Sequence, residues 1–519
     1  MQKELNKMKI KRKFVDFKLF TTNNFLVIII FFQITLLILS LIYRSIDIDD
    51  AWMGEHAYWL YKNGYVKSEL MRGWYLQEVK LLIHHKFMTL QGAAFIYLFG
   101  FSVYSLKSVS LLYFLLFLVT FITYTLRRRL LNKSQLLIAL CLFLTFPYTL
   151  KFSFIFRPEI PQMFLGFISF IFLKESIETD KKSYINSLIA GIFGGLTIVA
   201  HLNGIAFSIA GVIMLLVYKN IRYATTFLIG AIFSFSLYFY DIKNQADISL
   251  WKYQLFNSVV GDNSSIMDLL SYFASNLSKE HMRFFHDFTI IPFSLLLIAG
   301  FVAIKKYKIQ KLKDVPVIYL LLLLITIAIP FSQKSRQYIL LYLPYILILL
   351  SKSIYYIYNE AQCYVKTIRI RKIQYLFSFL LLFYFITSNY YNLSIILENF
   401  TYKNDKKNRA INTFISENRE NIRIVAPIEF IFNNIEDFDR IHSERFYTTL
   451  KKRVNYFNEN HFISLAYEFG NDYIILSTPY FNELGLSKLE DKEVIGNYKV
   501  IFKSNELLIL KCKIIYENR

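Results

Sequence analysis

The sequence predicts a polytopic α-helical membrane protein of about eleven transmembrane helices with a small C-terminal α/β extracytoplasmic domain. Three observations predict it. Apolar runs near 20 residues, each long enough to cross the hydrocarbon core, recur almost from end to end. Only 19% of the 519 residues are charged against 55% hydrophobic, and the mean hydropathy is +0.37. A soluble domain of this length carries more charge and fewer long apolar runs. The 51 Phe and 38 Tyr suit a surface that meets lipid chains and headgroups.

The spans are read at 24–43, 108–126, 134–150, 160–173, 186–202, 204–218, 223–240, 288–304, 315–332, 337–357 and 374–392. The basic segment Met1 to Lys13 precedes the first of them. Asn24 to Tyr43 is long and no small-residue cleavage site follows it, so it reads as a retained helix rather than a signal peptide. Lys9, Lys11, Arg12 and Lys13 place the N-terminus inside, and alternation then tests every loop. The loops expected inside hold Arg127-Arg128-Arg129 with Lys133; Lys181-Lys182; Lys219 with Arg222; Lys305-Lys306, Lys308, Lys311 and Lys313; and Lys366, Arg369, Arg371 and Lys372. All five are basic. The formal charge of +21 is therefore the positive-inside pattern and not a nucleic-acid footprint. Cys141, Cys363 and Cys512 share no metal-ligand spacing and suggest no disulfide framework.

Residues 1–393 read as one transmembrane module, with a first external loop at 44–107. Within that loop, Phe87 to Phe101 fits a helix lying on the membrane or re-entering it. The 241–287 loop, also outside, is aromatic and mixed in charge. Residues 394–519 change character. Ile422–Pro427, Tyr473–Ser477, Tyr498–Phe502 and Leu507–Leu510 read as strands separated by polar, partly helical segments.

Chemistry is expected at the outer loops. Asp49 and Asp50 abut a helix start, where free backbone N–H groups stabilise carboxylates, and Glu55 follows one to two turns on. Such a carboxylate can deprotonate a hydroxyl; the plainer reading is helix capping. Arg157-Pro158-Glu159 opens the next helix, where an Arg–Glu pair is equally a structural device. His201 and Asn203, before Gly204, form a tight outer hairpin whose glycine the turn itself explains. Lys334, Arg336 and Tyr338 stand on the outer side against the charge trend; a phosphate is one natural partner for such cations, a lipid headgroup another. His84, His85 and Lys86 add a cationic group, but adjacent histidines cannot share a helical face and do not make a metal site together. The sequence has no Walker A loop, no G-x-G-x-x-G after a strand and no H-E-x-x-H.

Asp49-Asp50, Glu55 and Gly64 give D-[DE]-x4-E-x8-G after the first span. This resembles the first external loop of the GT-C glycosyltransferases that use lipid-phosphate sugars, in the branch of protein O-mannosyltransferases and lipid A aminoarabinose transferases. Leu98-Phe99-Gly100, Arg157-Pro158-Glu159 and the segment Lys334-Ser-Arg336-Gln-Tyr338, with Pro344 beyond it, fit the same layout over about residues 20–392. The family often has Lys-Pro where this chain has His84-His85, and Lys-Gly where it has Asn203-Gly204. The resemblance implies a polyprenyl-phosphate sugar donor entering from the bilayer and a hydroxyl acceptor on a glycan, glycolipid or protein. It implies an inverting displacement with Asp49 as base, Asp50 as its competitor, and Lys334, Arg336 and Arg157 on the leaving phosphate. The scheme needs no metal, although an Asp cluster beside a phosphate makes Mg²⁺ or Mn²⁺ a candidate cofactor. The Lys-, Ile- and Asn-rich composition points to a bacterial cytoplasmic membrane and an undecaprenyl carrier. The competing class is a lipid-linked glycan flippase; it calls for repeated halves and ionisable residues deep within spans, and the sequence displays neither.

Overall fold

The computed structural model describes residues 23–42, 44–179, 183–257, 266–307, 314–329, 334–360, 367–401, 404–415, 419–432, 434–453, 457–477, 483–484 and 493–513. The N-terminal cations, Lys181-Lys182, Lys308, Lys311, Lys313, Cys363 and Lys366 lie outside the described residues. In chain order the helices are α1 (Asn23–Leu41), α2 (Ile48–Asn63), α3 (Lys86–Phe99), α4 (Val103–Arg127), α5 (Lys133–Thr145), α6 (Pro147–Phe152) and α7 (Glu159–Glu178). Then come α8 (Ser183–Ala200), α9 (Ile205–Tyr218), α10 (Ile221–Phe235), α11 (Gln245–Leu255), α12 (Ile266–Ser278), α13 (His281–Phe285) and α14 (Ile291–Tyr307). The series ends with α15 (Val315–Ala328), α16 (Ile339–Tyr355), α17 (Thr367–Thr401), α18 (Asn404–Phe414), α19 (Glu444–Arg453) and α20 (Glu459–Glu468).

The expected apolar runs are helical. Among the described residues, seven helices are long and apolar enough to cross a membrane: α1, α4, α7, α8, α10 with the turn after it, α16 with its flanking turns, and α17. Helices α5, α9 and α15 are apolar but shorter. Two expected boundaries are corrected. The run 134–150 breaks at Phe146, because Pro147 drives the residue before it into extended backbone (ψ 126°) and then starts α6. The run 374–392 is the middle of the 35-residue α17, about 52 Å long. Asparagines carry that helix past its apolar stretch by reaching α1 and the residues after it: Gln33 donates to Asn389 at 2.8 Å, and Asn399 donates to Ser40 O at 3.1 Å and accepts from Ser45 N at 3.1 Å.

Small residues let α8 and α10 touch through their backbones, the usual way helices associate when lipid removes the hydrophobic drive. A Cβ on Gly191 would stand 2.0 Å from Phe227 O, one on Gly195 2.2 Å from Ala231 O, and one on Gly230 2.3 Å from Leu188 O. Gly204 is needed for the same reason rather than for a turn. Its φ is −61°, open to any residue, but a Cβ there would meet the Thr197 backbone at 2.2 Å.

The C-terminal strands are β1 (Arg423–Ala426), β2 (Arg440–Ser443), β3 (Tyr473–Ser477), β4 (Val494–Ile495), β5 (Tyr498–Lys503) and β6 (Leu507–Cys512). They form one mixed sheet in the order β2-β1-β3-β6-β5-β4. β1 runs parallel to β2 and β3, and the remaining pairs are antiparallel. The four expected strands are present, and the polar β2 and two-residue β4 are additions. This sheet rests on the 44–107 segment. Tyr58 donates to Glu436 at 2.9 Å, Ser443 N donates to Leu70 O at 3.0 Å, and Phe101 stacks on Phe432 at 5.3 Å.

Replacing Gly191 with Leu is expected to lower stability by about 1–3 kcal/mol or more, since a backbone carbonyl cannot move aside as a side chain can. The fall appears as an earlier thermal unfolding midpoint in detergent, and an unchanged midpoint would contradict the α8–α10 contact.

Candidate functional site

Helix α2 starts on a capping box that aims two neighbouring carboxylates in different directions. Asp47 Oδ1 accepts from Asp49 N at 3.1 Å, and Asp47 N donates back to Asp50 Oδ2 at 2.8 Å. Asp50 turns inward and is fully buried. It accepts from Phe156 N at 2.7 Å and pairs with the buried Lys107 Nζ at 3.0 Å. Lys107 in turn donates to Ser45 O at 2.5 Å. Asp49 turns outward, its side chain 23% exposed, and pairs with Arg157 Nη1. Burial pushes the Asp49 carboxyl up to about 6, while the Arg157 cation pulls it down.

Arg157 is held from behind. Its Nη2 and Nε reach the buried Glu159, at 2.7 Å and 3.1–3.2 Å, in the first turn of α7. Its guanidinium lies over the Phe152 ring at 5.6 Å. Phe152 lines a cavity of about 520 Å³ whose wall also includes Tyr148, Lys151, Asp287, Lys334 and Arg336. There Lys334 pairs with Glu280 at 3.0 Å, and Arg336 pairs with Asp287. The cations that stand against the charge trend thus have acidic protein partners.

The histidines divide between two environments. His85 stacks on His201 at 4.8 Å, the two rings 20° apart. Burial drops His85 to about 4 and His201 well below its usual range, with Arg157 opposing protonation of both, so they stand as neutral imidazoles. His201 Nδ1 accepts from Asn203 N at 3.1 Å, and its Nε2 lies 3.3 Å from Tyr338 Oη. His84 points the other way, to Thr89 at 2.9 Å and Asp241 at 3.2 Å. Lys86, also buried, reaches the same Asp241 oxygen at 2.5 Å.

Comparison with solved structures follows from this arrangement. ArnT from Cupriavidus metallidurans, solved bound to undecaprenyl phosphate, superposes with a TM-score of 0.56 at 10% identity, over 94% of this chain and 98% of that one. Its apo state gives 0.56 at 10% identity, over 94% and 97%. The Archaeoglobus fulgidus oligosaccharyltransferase in the apo form gives 0.51 at 12% identity, over 89% of this chain and 70% of that one. The chain shares the fold of these two proteins. No family model matches the sequence, and no curated protein matches it.

Within this fold, the residues picked from sequence sort by place. Asp49, Arg157, Glu159, His85, His201, Asn203 and Tyr338 converge, and Lys334 and Arg336 border the adjoining cavity. Glu55 does not join them. It is buried and accepts from Ser68 Oγ at 2.6 Å, Trp59 Nε1 at 3.1 Å, Glu69 N at 2.7 Å and Leu70 N at 3.1 Å, which makes it the anchor of the 68–70 loop. Asp50, His84 and Lys86 are engaged inside the protein. The first-loop carboxylates do not fit a divalent cation: Asp47 caps backbone, Asp50 is filled by Lys107 and two N–H groups, and Asp49 holds Arg157. Among the described residues no three His, Cys, Asp or Glu converge as a metal would need. Sequence reading missed Lys107, Asp241, Glu280 and Asp287. Lys107 was signalled by its place at the edge of an apolar run, where a lone cation calls for a partner.

Asp50→Asn is expected to destabilise the fold by about 3–5 kcal/mol, because it leaves Lys107 charged and unpaired in the interior. The double variant Asp50→Asn, Lys107→Met should recover most of that loss. Chemical denaturation of Asp50→Asn, Lys107→Met and the double variant checks it, and additive losses would rule out the pair as a unit.

Proposed function

We propose that this chain is a membrane glycosyltransferase that moves a sugar from a polyprenyl-phosphate donor to an acceptor hydroxyl on the non-cytoplasmic face. The observation that carries the proposal is the Asp49–Arg157 pair set beside a cavity bordered by Lys151, Lys334 and Arg336. A partly buried carboxylate that still reaches solvent and a cluster of cations are what a proton acceptor and a phosphate leaving group require. ArnT, which shares the fold, was solved with undecaprenyl phosphate bound. In this reading the chain has eleven spans, a transmembrane module over 1–393 and an extracytoplasmic α/β unit over 394–519. It resides in a bacterial cytoplasmic membrane.

The step is a single inverting displacement. The acceptor oxygen gives its proton to Asp49 and bonds to the anomeric carbon as that carbon's bond to the phosphate oxygen breaks. The electron pair leaves on the polyprenyl phosphate, whose charge Lys334, Arg336 and Arg157 offset. Asp49, with its carboxyl near 6, is largely ionised at neutral pH and therefore ready to accept that proton. Asp50 is the framework residue in this scheme. The flippase reading predicts no donor consumption at all.

Transfer from polyprenyl-phosphate sugars should fall about a hundredfold or more in Asp49→Asn while the protein keeps its unfolding midpoint. Donor left unconsumed by the wild-type chain, across a panel of sugars and acceptors, would favour the flippase. A second expectation concerns pH. The active form is the carboxylate, so kcat/KM should decline as pH falls through about 6. Arg157→Gln removes the cation that favours the carboxylate, so the acid limb should move to higher pH. A limb that stays in place or moves down would break the link between the two residues.

A further inference from the structure

The lysine and arginine side chains on the cavity wall are not equivalent. Lys334 pairs with Glu280 at 3.0 Å, and Arg336 pairs with Asp287. Lys151 Nζ has neither an ion-pair nor a hydrogen-bond partner among the described residues. Its ammonium lies 5.7 Å from the centre of the Phe152 ring. Arg157 lies 5.6 Å from the centre of that same ring and stands between two carboxylates, Asp49 and Glu159. One aromatic ring therefore carries both the cation that holds Asp49 and the cation that holds nothing.

Lys151 is not a stray surface lysine. It is partly buried, and its backbone is fixed. The buried Arg44 donates from Nη2 to Lys151 O at 2.6 Å. Tyr148, Lys151 and Phe152 fall at i, i+3 and i+4 of α6, so one face of that short helix supplies three residues of the cavity wall. Tyr148 ties this face to the opposite wall by donating to Asp287 at 3.0 Å. The lysine chain thus swings from a fixed base into a cavity where no carboxylate holds it.

We propose that Lys151 is the phosphate ligand of the intact donor, and that Lys334 and Arg336 join it only as the second charge appears on the leaving group. The assignment rests on the glycosyl-transfer reading above. A polyprenyl-phosphate sugar is a phosphodiester with a single negative charge. It binds first where no protein contact has to be given up, and that place is Lys151. The bond between the anomeric carbon and the phosphate oxygen then breaks, its electron pair stays on that oxygen, and the acceptor proton goes to Asp49. The product is a phosphomonoester, with a charge of about −1.5 to −2 at neutral pH. The added charge offsets the loss of one carboxylate contact and draws Lys334 or Arg336 across. A contact already made to the intact donor acts mainly on KM, and one made as the charge develops acts mainly on kcat.

The test reads lipid binding and needs no sugar. The full chain, purified in detergent at pH 8, is titrated with undecaprenyl phosphate and with its methyl ester, a phosphodiester, in native mass spectrometry; undecaprenol is the control. Lys151→Gln should weaken both phosphates about tenfold. Lys151→Arg keeps the cation and should stay within about threefold of the wild type. Arg336→Gln should weaken the monoester about tenfold and the methyl ester by about threefold at most. Wild-type affinity for the methyl ester in Lys151→Gln, equal losses for Lys151→Arg and Lys151→Gln, or equal losses of the two lipids in Arg336→Gln would each overturn this assignment and leave the donor reading in place. A wild-type chain that retains neither phosphate above undecaprenol would overturn the donor reading and the assignment together.

Discussion

The geometry around Asp49 and Arg157 depends on one buried ion pair, Asp50 with Lys107. It joins three segments that are far apart in sequence: the first turn of α2, the first turn of α4, and the turn at Phe156 that leads into α7. A charge buried without a partner costs several kcal/mol, so these segments can come together only where the pair and its amide donors are complete. Asp49 inherits its position from this. It follows Asp47 in the cap, and Arg157 follows Phe156 in the turn, so the hydrogen bond from Phe156 N to Asp50 also sets Arg157 opposite Asp49. Two adjacent carboxylates thus take different tasks through burial alone.

The far end of α2 is fixed by separate means. Glu55 gathers the 68–70 loop onto the helix with three hydrogen bonds. The C-terminal sheet then leans on that loop through Ser443 N and Leu70 O, and on α2 itself through Glu436 and Tyr58. Helix α2 is consequently clamped between the membrane helices at its start and the sheet at its end. The role proposed for Asp49 in its first turn would gain from such rigidity, because a displacement of about 1 Å at a reacting group costs a large factor in rate.

Sequence made the helices legible because apolar runs in a bilayer obey length and loop-charge rules that tolerate little variation. It also made Asp49, Arg157, His201 and Tyr338 legible, since each stands in a short polar stretch at the outer end of a run. What it could not convey was pairing. Nothing near Lys107, Asp241 or Asp287 in the chain names its charged partner, and the local Arg283 beside Glu280 does not announce Lys334, since these partners come from distant segments. Glu55 misled for the same reason: its spacing from Asp49 fits a motif, but its neighbours are backbone amides of a loop. Strand β2 escaped because Arg440-Ile-His442-Ser is buried on both faces and so lacks alternation.

The acidic partners of Lys334 and Arg336 bear on whether these cations are available to a phosphate. Asp287 accepts from Thr289 N at 2.9 Å, Thr289 Oγ1 at 2.8 Å and Tyr148 Oη at 3.0 Å besides pairing with Arg336. Glu280 keeps Arg283 at 2.6 Å and Tyr342 Oη at 3.4 Å besides Lys334. If either cation turned toward an anion, its carboxylate would still be hydrogen-bonded, so the release leaves no bare buried charge. Asp50 and Lys107 both have fully buried side chains, and a turn of that lysine would take its charge out of the interior contact that holds the two helices. The same kind of ion pair is therefore a fixed joint at the start of α2 and a movable contact at the cavity. The difference lies in burial: the Lys107 and Asp50 side chains are fully enclosed, whereas those of Arg336 and Asp287 are 39% and 15% exposed.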